Sequence, residues 1–106
     1  MDDQNPENIE NSEILVSEEV SIETPKMFKV VMLNDDYTPM DFVVNVLESI
    51  FERNHTEAMK IMLEVHQNGH ATAGVYPKSI AETKVVETTR EAKSQQYPLQ
   101  CKMETE

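Results

Sequence analysis

The sequence has one cysteine, two glycines and no tryptophan in 106 residues. Cys101 has no partner for an intramolecular disulfide, which favours a reducing compartment. Gly69 and Gly74 are too few to build a loop that cradles phosphate. No apolar run approaches the ~20 residues of a membrane-spanning helix. The first 25 residues contain neither lysine nor arginine. A basic start followed by an apolar stretch is therefore missing, so no secretory signal is expected, and the segment is too acidic for an organelle transit peptide. A cytoplasmic location is the simplest expectation.

What fills that first segment is acid. Asp2, Asp3, Glu7, Glu10, Glu13, Glu18, Glu19 and Glu23 lie in it unbalanced, whereas residues 26–106 carry 12 acids and 9 bases. The formal net charge of −11 argues against a partner such as nucleic acid or an anionic membrane. Ile9, Ile14, Leu15, Val16, Val20 and Ile22 offer too little apolar surface to offset the entropy of ordering. Residues 1–25 are thus expected to form a flexible acidic extension, with transient helix around Ile14–Val20 left open. Residues 26–106 suffice for one small folded domain.

Within that domain the apolar periodicity changes repeatedly. Lys26–Leu33 reads as a strand. Met40, Val43, Val44, Leu47, Ile50 and Phe51 recur at helical spacing over a helix from Pro39 to about Arg53. Asn54 followed by Glu57 looks like a capping box, starting a second helix that runs to Asn68 on a stripe of Ala58, Ile61, Met62 and Val65. Gly69 suits a left-handed helix stop. His70–Tyr76 alternates with Ala71, Ala73 and Val75 on one side, and Gly74 suggests a bulge or a close backbone approach. Pro77 to Lys93 forms a surface helix with Ala81, Val85, Thr88 and Ala92 on one face. Tyr97, Leu99, Cys101 and Met103 alternate with polar residues and Pro98, which suggests a half-buried edge strand. The order β-α-α-β-α-β implies an α+β sandwich, a three-stranded antiparallel sheet with three helices packed on one face.

The chain is organised around Leu33-Asn34-Asp35-Asp36-Tyr37-Thr38-Pro39-Met40-Asp41-Phe42. A strand ends there in three side chains bearing acceptors and turns at once into a helix. Thr38 can cap that helix, Pro39 suits its first position, and Asp41 complements the dipole. A plain strand-to-helix turn is the alternative, because Asn and Asp readily bond to nearby backbone. If the first two helices form an antiparallel hairpin about residue 54, Met40 lies 14 residues before its centre and His66 12 after. The acidic corner then meets Met62, Val65 and His66, which share a helix face. The result is a shallow apolar pocket rimmed by acceptors, suited to an ammonium attached to an apolar side chain: the first residue of a polypeptide. Met62 and Val65 as ordinary core, and His66 as a partner of the last helical carbonyls, remain open alternatives. No nucleophile sits in a strained turn beside Asp35 and His66, and no cysteine pair or paired-histidine motif marks a metal site, so neither an enzyme nor a cofactor is expected.

Lys29 through Val43 resembles the signature of the ClpS adaptors of the bacterial Clp protease. So do Met62-Leu63-Glu64-Val65-His66, Gly74-Val75-Tyr76, Ala81-Glu82-Thr83-Lys84-Val85 and Tyr97-Pro98-Leu99-Gln100-Cys101. The resemblance covers residues 26–106. It implies a non-enzymatic, bacterial cytoplasmic adaptor of the N-degron pathway that binds proteins starting with Leu, Phe, Tyr or Trp. Such an adaptor passes them to the hexameric ATPase ClpA, which feeds ClpP, and is a monomer when free. It further implies that Asn34, Asp35, Asp36 and His66 hold the α-amino group and first peptide unit. Thr38, Met40, Val43, Met62, Val65 and Leu99 would line the side-chain pocket, and Lys84 would lie on the ATPase-binding face. Ser79 departs from the acidic residue that relatives can carry there. The acidic extension would enter the ATPase channel. The element order also resembles the C-terminal domain of a ribosomal stalk protein, an interaction module that would leave the acidic corner unexplained.

Overall fold

The computed structural model describes residues 25–106. The expected flexible extension therefore lies, except for Pro25, outside the described residues. Six elements follow in the expected order: β1 (Met27–Leu33), α1 (Met40–Ser49), α2 (His55–Asn68), β2 (His70–Pro77), α3 (Lys78–Ser94) and β3 (Gln100–Thr105). The strands form one open antiparallel sheet in the order β2-β1-β3. The three helices close one face of it.

Strand alternation decides which side chains meet the helices. From β1, Phe28, Val30 and Met32 point into the core, and Val30 and Met32 are completely buried. On the other face, Val31 and Lys29 pair with Lys102 and Glu104 of β3, and Lys102 Nζ lies 3.0 Å from Glu104 Oε2. Helix α1 buries Val43, Val44, Val46 and Leu47, and α2 buries Ala58, Ile61, Met62 and Val65. Small residues let α3 lie close to the sheet: Ala81, Thr88 and Ala92 are fully buried. Leu99 and Phe51 complete the core.

The start of α2 is built as its sequence indicates. Asn54 Oδ1 accepts from the Glu57 N–H at 2.8 Å while the Asn54 N–H donates to Glu57 Oε1. Gly69 ends the helix at φ 88°, a conformation that costs other residues a Cβ clash.

Four local expectations are corrected. Thr38 does not cap α1. Its hydroxyl donates to Asp35 Oδ2 at 2.8 Å, and the capping position falls to Pro39 without a side-chain bond. Helix α1 stops at Ser49 rather than near Arg53. The chain turns through Glu52 at φ 57°, and the Arg53 N–H closes back onto the Leu47 carbonyl. Val75 does not share a face with Ala71 and Ala73. The β1–β2 register slips between Val30 and Val31, so Val30 faces Gly74 while Val31 faces Thr72 and Ala73 is left as the extra residue. Beyond this bulge the alternation inverts and Tyr76 takes the core-facing place. Arg53 Nε donates to the Ala73 carbonyl at 2.9 Å, satisfying the acceptor at the bulge. A Cβ on Gly74 next to it would lie 2.6 Å from Cζ of Tyr76, so any larger residue there displaces the Tyr76 ring. Finally, β3 begins at Gln100, so Tyr97 and Leu99 reach the core from the preceding segment, and Pro98 stands before the edge strand rather than in it.

Candidate functional site

The corner between β1 and α1 is held by one carboxylate. Asp35 Oδ1 accepts from the N–H groups of Tyr37 at 2.8 Å and Thr38 at 2.7 Å, and Oδ2 accepts the Thr38 hydroxyl. Partial burial alone would push the Asp35 carboxyl up. The bonds from the Thr38 N–H, the Thr38 hydroxyl and the Tyr37 N–H outweigh it and hold the group below the ordinary aspartate range. Asp35 is therefore ionised at neutral pH and spends part of its acceptor capacity on the turn. Asp36 beside it is exposed.

The end of α2 is fastened to this corner through backbone. The Asn34 N–H donates to the Gly69 carbonyl at 2.9 Å, one step beyond the Leu33–His70 pair that ends the β1–β2 ladder. The Gly69 N–H in turn bonds to the Val65 carbonyl at 2.9 Å. These bonds set the last turn of α2, with Val65 and His66, beside Asn34 and Asp35.

The walls of the resulting cavity, of about 380 Å³, come from both sides. Asn34, Asp35, Asp36 and Thr38 line it from the corner, Met40 and Val43 from α1, and Met62, Val65 and His66 from α2. Nine of the ten residues expected around a pocket thus meet at one cavity. The tenth, Leu99, does not line it. It is 3 % exposed within the core, although β3 does neighbour β1. Tyr37 and Pro39 also line the cavity, although the sequence reading assigns neither to the pocket. They sit inside the acidic stretch, so position alone could have flagged them.

Met62 and Val65 are buried whereas Met40 is 44 % exposed, giving the cavity a fixed apolar floor and a flexible lip. The rim carries a side-chain amide, two carboxylates and an imidazole. Chemically the cavity can hold a cation with several N–H donors while an attached apolar group enters between the methionines and valines.

Lys84 lies elsewhere. Its Nζ donates to the Ile50 carbonyl at 2.7 Å and stands 5.6 Å from the centre of the Tyr76 ring. It is half-buried, closing the C-terminal end of α1. Burial pushes the Cys101 thiol up to about 12 against the opposing effect of the Thr88 hydroxyl, so it stays protonated at neutral pH. Among the described residues, no group of three or more His, Cys, Asp or Glu is placed to hold a metal ion.

Residues 23–102 match the family model described as ATP-dependent Clp protease adaptor protein ClpS. The chain belongs to the ClpS family. The ATP-dependent Clp protease adapter protein ClpS of Nitrosospira multiformis is 48% identical over 91 residues, 86% of this chain and 89% of that relative. The protein of the same name from Roseobacter denitrificans is 48% identical over 96 residues, 91% of this chain and 85% of its own. Among solved structures, Agrobacterium tumefaciens ClpS2 bound to L-phenylalaninamide superposes with a TM-score of 0.75 at 40% identity, covering 78% of this chain and 100% of that one. ClpS proteins are adaptors of the Clp protease, so this chain is an adaptor rather than an enzyme and its partner is the Clp protease.

Proposed function

We propose that this ClpS-family chain is an N-degron adaptor. It takes up proteins whose first residue is Leu, Phe, Tyr or Trp and delivers them to the ClpA hexamer of the ClpAP protease, in the bacterial cytoplasm and as a monomer when free. The observation that carries this reading is the pairing of an apolar cavity with a rim of ammonium acceptors, Asn34, Asp35, Asp36 and His66. L-Phenylalaninamide, bound by the Agrobacterium relative, has the same two halves: an α-ammonium and an apolar side chain one carbon away.

In this reading Asp35 and Asp36 supply the countercharge, and Asn34 and neutral His66 accept the remaining donors. The first side chain enters between Met40, Val43, Met62 and Val65. Leu99, implied by the resemblance, belongs to the same core cluster as Val43, Met62 and Val65. Residues 78–84 at the start of α3 would contribute to the ATPase contact. Lys84 would act there mainly by holding the end of α1, since its ammonium is already bonded to Ile50. The acidic extension would be the strand offered to the motor.

The test is delivery. A folded reporter beginning with Leu should be lost in the presence of this protein, ClpA, ClpP and ATP, and the same reporter beginning with Met should persist. Equal loss of both reporters would contradict the reading.

A further inference from the structure

A second hollow lies against the first. Met40, Val44, Met59 and Met62 line an apolar groove of about 350 Å³ along the outward side of α1 and α2. Met40 and Met62 belong to both hollows, so they form the wall between them. Met40 and Met59 are 44 % and 36 % exposed. Thioether side chains in such a row can repack around varied apolar partners.

The charged groups that line the groove are Asp41, Glu48 and His55, with His55 Nδ1 2.7 Å from Glu48 Oε2. The two carboxylates make this side electronegative or, with His55 protonated, still net acidic.

Dimensions connect the two hollows. Met40 and Glu48 are eight residues apart along α1, about 12 Å at ~1.5 Å per residue. An extended peptide rises ~3.3 Å per residue, so three to four residues cover that length.

We propose that this groove takes the residues that follow the first one in the bound polypeptide. Apolar side chains at its second and third positions pack on Val44 and Met59, and a basic side chain at the fourth or fifth meets Glu48. The inference rests on the cavity holding the first residue. The groove thus adds a preference for downstream sequence to the preference for the N-terminal residue.

The experiment uses the full chain, fluorescence anisotropy and three C-terminally labelled peptides beginning Leu-Phe-Phe-Lys-Lys, Leu-Ser-Ser-Lys-Lys and Leu-Phe-Phe-Glu-Glu. Leucinamide serves as a competitor that reaches only the cavity. The first peptide should bind about fivefold or more tightly than either of the others. Met59→Ser should remove the discrimination between Phe and Ser while leaving competition by leucinamide within about twofold. Glu48→Lys should reverse the discrimination between Lys and Glu. Equal affinities in the unsubstituted protein, or discrimination that survives Met59→Ser and Glu48→Lys, overturn the groove while leucinamide still competes. Failure of leucinamide to compete at all overturns the cavity reading beneath it.

Discussion

The Asn34 N–H and the Gly69 carbonyl, 2.9 Å apart, join the end of the central strand to the end of α2. Through this bond a strand terminus and a helix terminus, distant in sequence, present their side chains to one cavity. The bond depends on Gly69 holding φ at 88°. Gly69→Ala meets no steric neighbour within 4 Å, so its whole effect is conformational, about 1–2 kcal/mol of lost stability. Denaturant unfolding should show that loss. Peptide affinity should fall with it, because the turn carrying Val65 and His66 shifts relative to Asn34.

The two aspartates of the corner should separate experimentally. Asp35→Ala removes three hydrogen bonds from the turn and should cost about 1 kcal/mol of stability, as a lost helix cap does, as well as binding. Asp36→Ala and His66→Ala should leave the unfolding midpoint nearly unchanged. The double variant Asp35→Ala/Asp36→Ala, and His66→Ala alone, should weaken a Leu-start peptide at least ~tenfold, because an ammonium is left without its full set of partners. The pH dependence has a definite sign. The Asp35 carboxyl is depressed below the ordinary aspartate range in the folded state, so its contribution to stability is present above the unfolded value and is lost as pH falls through the folded one. An acid titration of Asp36→Ala should retain this component, and one of Asp35→Ala should lack it.

How much of this was legible in the sequence depended on whether the cause was local. The hydrophobic periods of β1, α1 and α2, the Asn54–Glu57 box and the Gly69 stop each act over a few residues, and each stands where the pattern put it. The convergence of Met40 with His66 followed from counting about a short hairpin. Thr38 looks like a cap because a cap hydroxyl accepts from an N–H of the first turn, but here the hydroxyl donates to Asp35 three positions earlier and the capping position falls one residue later, at Pro39. The apolar period overruns the end of α1 because Glu52 adopts a left-handed φ without a glycine or asparagine to mark it. The inverted face of Val75 comes from a register slip that only pairing with β1 reveals. Leu99 is buried in the core and is absent from the residues lining the cavity, a matter of packing that strand alternation does not carry.

Lys84 should behave as a structural residue in the free protein. Its ammonium caps the Ile50 carbonyl and sits over Tyr76. Lys84→Met keeps the aliphatic stem but removes the bond, and should lower stability by about 1 kcal/mol. Hydrogen exchange should quicken at Ile50–Arg53 while Leu-start peptide affinity stays the same. Unchanged exchange there would show that the bond does not hold the end of α1.

Met40 stands at the lip of the cavity, partly exposed, where a β-branched first residue would press against it. Met40→Ala should therefore admit Ile- and Val-start peptides that the unsubstituted protein rejects, measured by competition against a Leu-start probe. Persistent rejection alongside retained Leu binding would place the gate at another side chain.

The central claim is that the corner binds a free α-ammonium together with the side chain next to it. The most direct measurement titrates a Leu-start peptide and its Nα-acetylated twin against the full chain by fluorescence anisotropy. Acetylation removes the charge and two of the donors while leaving the side chain and all downstream residues intact. Loss of binding on acetylation, by at least ~tenfold, is the expected result. Equal affinity for the two peptides would show that Asn34, Asp35, Asp36 and His66 do not hold an ammonium, and would contradict the account.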